Sequence, residues 1–234
     1  MALRDEVKEQ RKKLKGQPLK KKLEYYFDYY KWCLAVILLI VIGLSIFYDQ
    51  YKDAHRPKAL YGLVMNLDIF INLDNLTDSF ADKYDINTDK TPVLLDPTIS
   101  YQVNKDGGIS YSDIYTPVFI QQLMTEDSLD FFTIDVTTLD YFSNGKFLTD
   151  LSEFLEEDVY EDFKDYMHYV TFEDKETGTT KTIPAGISLK DTSYFNTFGA
   201  PELTEYIFCV CPNAPHYETI VNFLYHLFDG VVTR

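Results

Sequence analysis

The sequence predicts an α/β protein with one N-terminal transmembrane helix followed by a single layered α/β domain. Three observations predict it. The stretch Trp32 to Tyr48, WCLAVILLIVIGLSIFY, carries no charge. The charge balance reverses across that stretch. After it, short apolar runs suited to strands alternate with segments whose apolar residues recur at helical spacing.

The tail, residues 1–31, holds ten Lys and Arg against five Asp and Glu, with Gly16-Gln17-Pro18 breaking any helix there. Such a segment reads as a basic cytosolic tail whose lysines meet anionic head groups, each contributing about 1 kcal/mol near the surface. Residues 32–48 form the transmembrane helix. Its 17 residues span about 25 Å at ~1.5 Å each, the lower limit for a ~30 Å hydrocarbon core. Tyr25, Tyr26, Phe27, Tyr29, Tyr30 and Trp32 on one side, and Phe47, Tyr48 and Tyr51 on the other, supply aromatic belts that extend it. The run is longer than a signal peptide's apolar region and no pair of small residues marks a cleavage site, so it reads as an uncleaved signal anchor.

Orientation follows from charge. The basic flank keeps the N-terminus in the cytoplasm and places the rest outside the cell membrane, which the chain crosses once. Beyond the anchor lie 12 of the chain's 22 basic residues and 32 of its 37 acidic ones. This acidic excess excludes nucleic acid as a partner of the outer domain, because phosphate binding needs concentrated Lys and Arg. The 19 Tyr and 17 Phe argue for a packed core and against an acidic disordered segment.

Residues 49–58, DQYKDAHRPK, form a polar juxtamembrane spacer, and residues 59–234 the extracytoplasmic domain. Ala59–Leu67 is strand-like, and Leu73–Tyr84 is helical in its apolar spacing. Thr91–Leu95 reads as a strand, Asp113–Met124 as a helix, and Phe131–Ile134 as a brief buried strand. A short helix through Phe142, capped by Thr137 or Thr138, comes next, then helices over Leu148–Leu155 and Asp158–Met167. His168–Phe172 and Thr179–Ile183 flank a turn at Asp174–Gly178 and predict a hairpin. Glu205–Cys211 is a strand, and Pro215 opens a terminal helix with Ile220, Phe223, Leu224, Leu227 and Phe228 on one face. Of the three cysteines, Cys209 and Cys211 share one face of a strand by period-2 alternation, and Cys33 opens the apolar run.

One order of motifs resembles a known family. Phe131-Phe132-Thr133-Ile134-Asp135, then Thr137-Thr138-Leu139-Asp140-Tyr141-Phe142, then Gly145-Lys146-Phe147-Leu148-Thr149-Asp150-Leu151, resembles the run "strand ending in Asp, short helix, G-x-L-x-D-L" of extracellular solute-binding proteins of ABC importers. Lys181-Thr182-Ile183-Pro184-Ala185 is similar to that family's hinge-entry strand, and Cys211-Pro212-Asn213 with His216–Phe228 to its late helical element. The resemblance covers about two thirds of the outer domain. It implies a reduced, single-lobe relative of type II periplasmic-binding proteins on a bacterial, Gram-positive surface, its usual lipid anchor replaced by the helix.

In open α/β sheets ligands bind at the carboxyl ends of strands. The residues that correspond are Asn66, Asp135 and Thr137, with Pro184 and Ala185 at the hinge-like strand. Asp135 has a second explanation, since Asp is favoured as the cap of a following helix. Asp85, Asn87, Asp89 and Asp96 match part of a calcium loop, but Lys90 stands where the sharp turn wants Gly. Ser143 to Lys146 is an S-x-x-K interrupted by Gly145, and no metal-ligand spacing joins the four histidines. The sequence therefore predicts no catalytic centre, metal or cofactor. Two readings stand beside each other: a protein-interaction or accessory module contacting a membrane or cell-surface protein, and a module capturing a small solute, a sugar or peptide, for a transporter.

Overall fold

The computed structural model of the chain describes residues 18–66, 73–99, 121–122, 125, 128–136, 138–139, 148–173, 178–192 and 205–232. It divides into two units, Met1–Arg56 and Pro57–Arg234. The first contains α1, Leu19–Ala54, 36 residues long. Among the described residues only the segment Lys31–Lys52 of this helix is long and apolar enough to cross a membrane, and its large apolar side chains from Val36 to Tyr48 are exposed. A helix of this kind fits a membrane anchor or a signal sequence.

The second unit is mixed α/β, built on one six-stranded sheet. In chain order its elements are β1 (Leu60–Val64), α2 (Asp74–Lys83), β2 (Val93–Asp96), β3 (Phe131–Asp135), α3 (Leu151–Phe154), α4 (Glu157–Phe163), β4 (Met167–Glu173), β5 (Thr180–Ser188), β6 (Tyr206–Val210) and α5 (Tyr217–Leu227). The strand order is β2-β1-β3-β6-β5-β4. β1 pairs in parallel with β2 and β3, whereas β3–β6, β6–β5 and β5–β4 are antiparallel.

All five residues of β1 and of β6 are buried, which is why both read as unbroken apolar runs and not as alternating ones. Their side chains divide between two cores. Leu60, Val64, Phe131, Phe208 and Val210 face α2, α4 and α5 through Phe80, Phe163, Phe223 and Phe228. Tyr61, Leu63, Phe132, Ile134, Ile207, Cys209 and Cys211 form the second core on the other face. Both cysteines are free and fully buried, so burial pushes their thiols well above the ordinary range.

Gly62 sits where β1 passes Phe131. A Cβ there would lie 2.1 Å from the ring's Cζ, so only glycine lets the aromatic ring lie flat across the strand. The hairpin foreseen between β4 and β5 is present, with β5 running to Ser188 and so past the expected Ile183. Its register shifts between His168 and Tyr169, leaving Ala185 as the extra residue of a bulge between Pro184 and Gly186. That bulge accommodates a proline within the sheet.

Candidate functional site

β1 and β3 are parallel neighbours, so their carboxyl ends lie side by side. Asn66, two residues past β1, has φ 61°, a left-handed turn that Asn tolerates better than most residues. Its Nδ2 donates to Asp135 Oδ2 at 2.7 Å, and its carbonyl accepts from the Tyr206 hydroxyl at 3.1 Å. Asp135 ends β3. Its Oδ1 accepts from the Thr138 backbone N–H at 2.9 Å and its Oδ2 from the Thr138 hydroxyl at 2.7 Å. The carboxylate thus caps the turn that follows β3, the second of the two roles its position allowed. Burial first, and then the Asp135 charge, push the Tyr206 phenol upward.

Of the residues expected to line a cleft, the fold brings Asn66 and Asp135 together. Pro184 and Ala185 lie elsewhere. Ser188 is level with Ile207, which is level with Ile134, so Ser188 is the residue of β5 nearest the row of Asp135. Ala185 and Pro184 stand three and four residues back, about 10 to 13 Å along the strand at ~3.3 Å per residue, and both are buried. Thr137 lies outside the described residues, as do Ser143 to Lys146.

A polar cluster that the sequence did not announce lies at the opposite end of β3. Asp130 is fully buried. Its carboxylate accepts from the Tyr61 backbone N–H at 2.7 Å, from the His216 backbone N–H at 3.1 Å and from His216 Nδ1 at 3.0 Å. Burial pushes the Asp130 carboxyl up, and these hydrogen bonds and the imidazole oppose the shift. Lys58 lies with its Nζ 3.9 Å from the centre of the Tyr61 ring, and burial lowers its ammonium while Asp130 and Asp96 pull it back. Burial also pushes the Tyr61 phenol up to about 12. The signal in the sequence was a charged residue directly before the largely apolar run Phe131–Ile134.

Between α4 and α5 runs a groove of about 460 Å³ edged by Asp158, Asp162, Glu218, Tyr217 and Tyr225. Asp158 and Glu218 stand in the first turns of their helices, where the dipole favours a carboxylate, and Asp162 accepts from the Tyr225 hydroxyl. In the partial calcium loop, Asp96 Oδ1 is taken by the Thr98 N–H and hydroxyl, and Asn87 Oδ1 by the Lys90 N–H. Among the described residues no group of three or more His, Cys, Asp or Glu side chains is placed to hold a metal ion.

Fold and site together define a mixed α/β domain with an N-terminal apolar helix and a polar junction at the carboxyl ends of two parallel strands. The chain matches no family model, no curated protein and no solved structure.

Proposed function

We propose that the chain is a membrane-anchored, extracytoplasmic and non-catalytic interaction module whose sheet derives from one lobe of a type II periplasmic-binding protein. The observation that carries this reading is the state of Asp135. Three donors from Asn66 and Thr138 already occupy its carboxylate, which leaves little capacity for a solute. Pro184 and Ala185, which would close a cleft from the hinge side, are enclosed in β5. The basic residues before the exposed apolar helix support a cytoplasmic N-terminus and an outer domain beyond the helix; its partner in this reading is a membrane or cell-surface protein.

A second reading, capture of a small sugar or peptide for a transporter, draws on one observation. Asn66 and Asp135 converge at the carboxyl ends of parallel strands, the usual place for ligands in such sheets. Thermal unfolding of the full chain in detergent micelles, across sugars, amino acids and short peptides, separates the two. The interaction module gives no shift with any solute. A solute at 100 times its Kd would stabilise the fold by about 2.7 kcal/mol, and that result would replace the first reading with the second.

A further inference from the structure

His226 is the one imidazole among the described residues that the fold encloses, 4% exposed in the last turn of α5. It lies against α2: Nε2 is 3.0 Å from the Ser79 hydroxyl, and its ring is 5.5 Å from Phe80 and 6.5 Å from Tyr84, centre to centre. Phe80 also meets Phe223 edge-on at 5.0 Å, so the α2–α5 seam consists of three aromatic rings and one imidazole. The charged and titratable groups facing His226 are Lys83 at the end of α2, Tyr84 just past it and Asp229 just past α5, and Lys83 pairs with Asp229 at 3.3 Å.

We propose that this seam is an acid-sensitive latch: protonation of His226 places a cation among Phe80, Tyr84 and Phe223 and releases α2 from α5. Burial first, and Lys83 second, hold the imidazole below its ordinary range, with Asp229 opposing. The sign follows. Above the ordinary histidine value, about 6.5, the ring is neutral whether the seam is closed or open, and the latch holds. As pH falls below that value the open state takes up the proton first, so opening becomes easier. The ion pair beside the ring is partly solvated, so water screens the opposing effects of its two charges on the ring.

Hydrogen exchange of the full chain in detergent micelles tests this at about pH 7.5 and about pH 5.5, after correction for intrinsic exchange rates. The opening constant for α2 amides should rise, by up to about tenfold, on acidification. His226→Gln keeps a polar partner for Ser79 without a titratable ring, and the rise should vanish. Lys83→Gln eases protonation of the closed state, so the rise should shrink; it also serves if the glutamine variant does not fold. An equal rise in His226→Gln, an unaltered rise in Lys83→Gln, or a rise spread uniformly over all strands would each overturn the latch.

Discussion

Asn66 Nδ2 lies 2.7 Å from Asp135 Oδ2, a hydrogen bond that joins the ends of two parallel strands across 69 residues of sequence. The bond links a left-handed turn to a helix-capping carboxylate, so two local solutions to chain reversal become one tertiary contact. The acceptor in each solution is the same side chain.

Asp135→Ala therefore removes a cap and a cross-strand partner together. Loss of a cap alone costs about 0.5–2 kcal/mol, and loss of the part-buried hydrogen bond from Asn66 Nδ2 adds to it. Urea unfolding should show a lower midpoint with an unchanged slope. A variant as stable as the parent would show that the carboxylate is held at no benefit to the fold, which is the behaviour of a binding residue.

Asp130 makes a prediction about pH. Its carboxyl is raised by burial, so the folded state retains a proton that the unfolded chain has already released. Stability contributed by this group is present below the unfolded aspartate value, about 3.9. It is lost as pH rises through the window up to the folded value, and the curve is level beyond it. Subtracting the Asp130→Asn profile from that of the parent should isolate a descending step in that window. A difference that ascends with pH would mean the His216 contact outweighs burial.

Gly62→Ala places a Cβ 2.1 Å from the Phe131 ring, which is stacked at 4.3 Å on Phe208 and has little room to retreat. Overpacking of this sort costs about 1–3 kcal/mol. Adding Phe131→Leu should recover part of the loss, because the leucine vacates the space above the glycine. Additive effects in the double mutant would place the strain elsewhere.

A charge within α1 tests the membrane reading. Ile40 stands near the middle of Lys31–Lys52, and Ile40→Arg should cost about 2.5–3.5 kcal/mol of insertion free energy. The parent chain should stay with the membrane pellet after alkaline extraction and the variant should move toward the supernatant. Release of the parent itself by that treatment would count against an anchor.

Much of this architecture was legible in the residues. Phe131 to Ile134 was foreseen as a buried strand and is one, extended to Asp135, because aromatic and β-branched residues in a short run favour a pleated interior. The apolar spacing of Leu148–Leu155 predicts one helix. The helix observed is Leu151–Phe154, since Asp150 takes an extended conformation and accepts from the Ser152 N–H, so regular structure begins after it. The hairpin pattern marks β5 only as far as Ile183, and no local pattern announces the bulge through which the strand runs on to Ser188.

The candidate sites divide by the same physical reason. Asn66 and Asp135 could be marked because each lies at the carboxyl end of its own apolar run. The contact between Asp130 and His216 spans 86 residues and depends on how β1, β3 and α5 meet. The expected helix over Asp113–Met124 lies largely outside the described residues.

The central position of β6 bears on how the domain is made. β6 sits between β3 and β5, so the two halves of the sheet remain unjoined until Tyr206–Val210 has been synthesised. β4 and β5 can zip early as a local hairpin, whereas β3 keeps an open edge while the segment from Val136 to Glu205 emerges. Pairings of such long sequence separation are slow, and an unpaired apolar strand is exposed to aggregation. The sheet is therefore complete only when the last strand of the chain inserts between β3 and β5, and the exposed edge of β3 needs protection until β6 docks.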